Sequence, residues 1–156
     1  METNALFYKM KNGTVTSEDY LAWSYVLLSK GKSSPSLNMV TAFSLDSNIF
    51  EVESYVAKAL GELRITEPET NECARGYIRF LANKILTEND DKLIFNLAQS
   101  IFRIVATELD YPDDLFVWYE ISELIDRIEY DNQPFWINNI DVKAKIIQEA
   151  KALLKV

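Results

Sequence analysis

Apolar residues recur at spacings of three and four along most of the chain, the pattern of helices that turn one face to a core. In TSEDYLAWSYVLLSKGK, Thr16 is placed to cap a helix whose first turn carries Glu18 and Asp19, and Lys30 with Gly31 marks its end. A helix is therefore predicted near Ser17 to Lys30. After the polar breaker SSPS, LNMVTAFSL predicts a short helix ending near Asp46. FEVESYVAKALGEL predicts a longer one, with Phe50, Val56, Ala57 and Leu60 near one face. Pro68 suits the first turn of the next helix, where its missing N–H costs nothing. Ala74, Tyr77, Ile78, Leu81 and Ile85 carry that helix to about Thr87. Asn89 or Asp90 then caps a helix in which Leu93, Ile94, Leu97, Ile101, Ile104 and Val105 keep helical spacing. Pro112 closes the following connection, and Asp113 or Asp114 opens another helix. QPFW interrupts the chain before a last helix, DVKAKIIQEAKALLKV. Ahead of all these, ALFYKM and TVT flank Asn12-Gly13, a dipeptide that favours a type I′ turn, so a short β-hairpin is compatible with the N-terminus, provided its strands pack on something. The predicted fold is all-α: a single domain over residues 1–156, built as a bundle or orthogonal array of six to seven helices, with the N-terminal hairpin as an addition.

Composition supports one such unit. With 156 residues, 48% of them apolar, the chain can bury a core without metals or disulfides. The longest stretch free of charge, Ser33 to Leu45, is well short of the roughly 20 apolar residues that cross a bilayer. The start, METNALFYKMKNG, has no apolar signal core, so it is expected to stay in the mature protein and the protein in the cytoplasm. The single cysteine, Cys73, cannot form an internal disulfide, which suits a reducing compartment.

Charge changes the picture more. The formal net charge is −8, and at long range phosphate backbones and anionic membranes repel such a protein, so neither nucleic acid nor membrane is expected as a direct partner. The imbalance is local. ELDYPDDLFVWYEISELIDRIEYD, residues 108 to 131, holds nine of the 24 acidic residues and one of the 16 basic ones, which leaves 15 of each elsewhere.

Little catalytic chemistry is on offer. The absence of histidine removes Ser-His-Asp and Cys-His nucleophile systems, His-ligated zinc and the Glu-x-x-His pairs of bundle di-iron sites. Cys73 sits among core positions with no electropositive neighbour to generate a thiolate. The four glycines form neither a phosphate-cradling loop nor a dinucleotide fingerprint. Ser29-Lys30-Gly31-Lys32 has Ser-x-x-Lys spacing at a helix end without its companion motifs. Asn89-Asp90-Asp91 lacks the alternating ligands and terminal glutamate of a calcium loop and reads as a helix cap. No cofactor and no metal is expected. Glu120, Glu123 and Asp126 are close enough on a helix to share a cation or to act as acid and base. That alternative needs a desolvated pocket, whereas at 100° per residue Val117, Ile121, Leu124, Ile125 and Ile128 fill the inward arc and the acids face water.

Phe116 and Tyr119 break this division, because both rings project among the acids and away from the apolar arc. Rings surrounded by acids suit an interface in which aromatic groups supply contact area and charges steer a basic partner. The competing reading is that the rings lie under a neighbouring element and the acids only solvate the protein. Phe116, Tyr119, Glu120, Glu123 and Asp126 are thus the candidate partner-binding residues.

The segment from 108 to 131 resembles the acidic surface of bacterial immunity proteins, compact cytoplasmic domains that bind and neutralise a toxin, often a basic nuclease. VTSEDYLAWSYVLLSKGK, through Val15, Thr16, Trp23 and Gly31, is similar to the start of a small bacterial helical family grouped as a domain of unknown function. The immunity resemblance implies a non-enzymatic protein that neutralises a basic partner, such as a toxin. The alternatives are a small helical enzyme with carboxylate-bound metal and an adaptor whose acidic face serves solubility alone.

Overall fold

A computed structural model describes residues 1–130 and 139–155, and these are all-helical, with no strand among them. Eight α-helices follow in order: α1 (Thr3–Lys11), α2 (Ser17–Ser29), α3 (Pro35–Ala42), α4 (Ile49–Glu62), α5 (Thr70–Thr87), α6 (Asp91–Thr107), α7 (Val117–Tyr130) and α8 (Asn139–Leu154). A 3₁₀ turn, Asp113–Leu115, precedes α7. The predicted break at QPFW lies outside the described residues. The chain divides into two compact units, Met1–Tyr77 and Ile78–Val156. No Pro- or Gly-rich linker marks the division, which falls inside α5.

The start of the chain is helix rather than hairpin. Ala5, Leu6 and Phe7 are buried by α1, and Gly13, at φ 63°, ends that helix. Its N–H donates to Met10 O at 3.2 Å and the Thr14 N–H donates to Lys9 O at 2.9 Å, the two bonds of a Schellman cap. The left-handed conformation that would serve a type I′ turn serves a helix C-terminus instead. Gly31 repeats the device after α2, where Lys32 N–H reaches Leu27 O at 3.0 Å.

In the first unit α2, α3 and α4 pack on one another and α1 packs on α2. Leu6, Tyr20, Trp23, Leu27, Leu37 and Val40 form its core with Val52, Val56 and Ala59 of α4. The buried face of α4 therefore differs from the predicted one: Val56 is on it, but Phe50 and Ala57 are exposed and Leu60 is half-buried. Apolar residues cover more than half of the circumference of this helix, wider than one core contact needs, and packing selected the part with Val52 and Ala59.

Side chains close the helix starts. Thr16 and Asp19 form a capping box on α2, and buried Asp19 also pairs with Lys9 of α1. Ser34 caps α3 ahead of Pro35, and Glu62, at the far end of α4, accepts from the Ser36 N–H at 3.0 Å and the Ser36 hydroxyl at 2.7 Å. The Ser34 hydroxyl, the Ser36 hydroxyl and the Ser36 amide, in that order, hold the Glu62 carboxyl below its ordinary value of 4.5. Because folding lowers this pKa, the carboxylate's contribution is in place above the unfolded value and disappears as pH falls through the lower folded one. Stability is thus expected to decline on acidification below about pH 4.5, and Glu62→Gln is expected to flatten part of that decline. Denaturant midpoints of both proteins between about pH 6 and pH 3 measure it; identical profiles would mean the serines do not hold the charged form.

Candidate functional site

The acidic segment is presented by the second unit, where α6, α7 and α8 pack together. The face that α7 buries carries Trp118, Ile121, Ser122 and Ile125, while Val117, Leu124 and Ile128 are half-buried at its edges. The inward arc is thus rotated toward Trp118 and Ser122 from the predicted one. Ser122 is tolerated inside because its hydroxyl donates to Gln99 Oε1 at 2.8 Å, and Gln99 Nε2 in turn donates to Asp126 Oδ1 at 3.1 Å. This relay ties α6 to α7.

Glu120, Glu123 and Asp126 all face water, as the periodicity requires. They are not equivalent. Glu120 pairs with Lys145 of α8 at 3.1 Å and Asp126 is the acceptor of the Gln99 amide, so both also serve the packing of unit two. The Glu120 pair is exposed and worth at most about 1 kcal/mol, which leaves the carboxylate open to exchange partners. Among the described residues, no group of three or more Cys, Asp or Glu side chains is placed to hold a metal ion.

The rings form a larger constellation than the two picked out from the sequence. Tyr119 is its hub, with centroids 5.4 Å from Phe116, 6.0 Å from Phe102 of α6 and 6.1 Å from Tyr111. Phe102 and Tyr111 complete it at 6.4 Å. All four separations lie in the attractive range for tilted and edge-to-face pairs. Tyr119 is consequently half-buried beneath its neighbours, whereas Phe116 and Tyr111 remain 44% and 41% exposed.

The loop that supplies Tyr111 is held in an unfavourable conformation. Asp110 and Tyr111 have φ of 54° and 52°, left-handed values that cost non-glycine residues on the order of 1 kcal/mol or more each. A bond from Tyr111 N–H to Val105 O at 3.1 Å and the ring contacts with Phe102 and Tyr119 oppose that cost. The result is a fixed aromatic platform beside a row of carboxylates.

Sequence reasoning missed Phe102 and Tyr111. Phe102 had the same signature as Phe116, an aromatic residue off the core arc of its helix, and could have been found by it. Tyr111 had none, since its place depends on the loop. Cys73 is buried, its Sγ 3.7 Å from Pro68 O, and burial pushes its thiol up, against the smaller opposing pull of Lys11. Among the described residues no helix is long and apolar enough to cross a membrane. Comparison with protein-family models, curated proteins and solved structures finds nothing that matches this chain.

Proposed function

We propose that the protein is a non-enzymatic interaction module of the bacterial cytoplasm, an immunity or inhibitor protein whose acidic aromatic face captures a basic protein such as a toxin. The observation that carries this reading is the joint exposure of Phe116 and Tyr111 beside Glu120, Glu123 and Asp126. A face that only solvates needs charges, not rings, and leaving two large rings in water while spending backbone strain to position one is a cost that contact with a partner would recover. The concentration of acid in one segment supports a basic partner, because like-signed charges near an aromatic centre raise association rates and reject acidic competitors.

The experiment separates steering from anchoring. In the triple variant Glu120→Gln, Glu123→Gln, Asp126→Asn the side-chain shapes and the acceptor for Gln99 are kept, so the fold is expected to persist while association slows and loses salt dependence. Phe116→Ala and Tyr119→Ala are expected instead to speed dissociation by roughly tenfold to thirtyfold, the scale of a truncated central anchor. Stopped-flow kinetics at two ionic strengths, against the basic protein recovered by affinity capture, reads both. Unchanged rate constants in folded variants would assign the acidic face to solvation alone.

A further inference from the structure

Beside the face that α4 turns to the core, a groove of about 480 Å³ opens within the first unit. Met10 and Val15 line it together with Ile49, Ala57 and Leu60 of α4. The volume is that of a small-molecule site, and the lining is mostly apolar. Glu53 interrupts it. Its Oε1 accepts from the Tyr20 hydroxyl at 2.9 Å, and Tyr20 itself is buried. Burial, and then the bond and charge of Glu53, push the Tyr20 phenol well up, so the phenol keeps the proton it donates to Glu53.

Among the described residues no ammonium or guanidinium pairs with Glu53. That restricts what can fill the groove. A neutral apolar occupant would strip water from an anion and return nothing to it, and an anion would be repelled. An occupant with a positive donor compensates the carboxylate while its apolar part replaces water on the walls. Phe50 stands at the rim 76% exposed, one turn before Glu53 on the same side of α4, where a ring face adds attraction for a cation.

We propose that this groove binds a small organic ammonium, its apolar body between Met10, Val15, Ile49 and Leu60 and its protonated amine on Glu53. The test titrates the full chain with 2-phenylethylammonium and, in parallel, with its neutral twin 2-phenylethanol, following methyl resonances of Met10, Val15, Ile49 and Leu60. Saturable shifts with the ammonium are expected, and weaker binding of the alcohol. Glu53→Gln retains an acceptor for Tyr20, so the fold is expected to hold while ammonium affinity drops by roughly tenfold or more, the scale of one charge-assisted hydrogen bond. Ala57→Trp, at an exposed position, is expected to fill the groove and abolish binding of both probes. Equal affinity for alcohol and ammonium, unchanged affinity in folded Glu53→Gln, or no saturable shift at all would each overturn the proposal.

Discussion

Trp23→Ala is expected to remove about 3–5 kcal/mol of stability, the range for truncating a buried tryptophan. The side chain is fully buried among Leu6, Leu27, Val40, Val52 and Val56, so the alanine leaves a void that the helices of the first unit cannot close without giving up other contacts. A second loss accompanies the cavity. The indole Nε1–H donates to Thr3 Oγ1 at 3.1 Å, which ties α1 to α2, and truncation removes that bond with the ring. Against a total of roughly 5–15 kcal/mol for a domain, the variant approaches unfolding. Urea titration followed by far-UV circular dichroism measures it, since the signal does not depend on the lost fluorophore. Trp23→Phe is expected to fall between the two, because it keeps most of the volume and loses the hydrogen bond. A midpoint for Trp23→Ala equal to that of the parent protein would mean that the core has been misplaced.

Gly76→Ala is expected to destabilise by about 1–3 kcal/mol, and Gly76→Leu by more, although alanine favours a helix interior over glycine by about 1 kcal/mol. Gly76 lies within α5, and a Cβ built on it falls 2.5 Å from Asn4 Cβ and 3.2 Å from Ala5 N in α1. Backbone cannot rotate out of the way as a side-chain tip can, so α1 has to move. That movement disturbs the stack of Tyr8 on Tyr77, whose centroids are 4.4 Å apart, and the reach of Lys11 to Glu67 at 3.2 Å. Gly61, in α4, supplies the contrast: a Cβ there meets nothing within 4 Å, so Gly61→Ala is expected to be neutral or stabilising. Thermal denaturation of the pair reads the difference directly. If both alanines stabilise, the close approach of α1 to α5 is absent in solution.

Both variants mark where the sequence stops being readable. Trp23 could be assigned to a helix from its spacing, and its helix could be bounded correctly by Thr16, Asp19, Lys30 and Gly31, because caps act between residues three or four apart. The same holds for the Asp90 cap of α6 and for the end of α5 at Thr87. The candidate site was legible to the same extent: the acids of α7, and Phe116 and Tyr119 among them, follow from period alone.

What the chain determined by itself is the set of local decisions: helices over most of its length, their caps, and an excess of acid confined to one segment. Tertiary structure decided which side of each helix was covered. Periodicity puts Phe50, Val56, Ala57 and Leu60 near one face of α4, whereas the structure buries Val52, Val56 and Ala59, because burial goes to whichever face a neighbour reaches, and that is a property of two elements at once. It placed Trp118 inside α7, and it brought Phe102 and Tyr111, distant in sequence or held by a strained loop, onto Tyr119. Gly13 had two fates open to it, since a left-handed φ fits a hairpin turn and a helix cap equally well; burial of Ala5, Leu6 and Phe7 chose the cap. Gly76 had no local role to read, because the side chain it lacks would have met atoms more than 70 residues away along the chain.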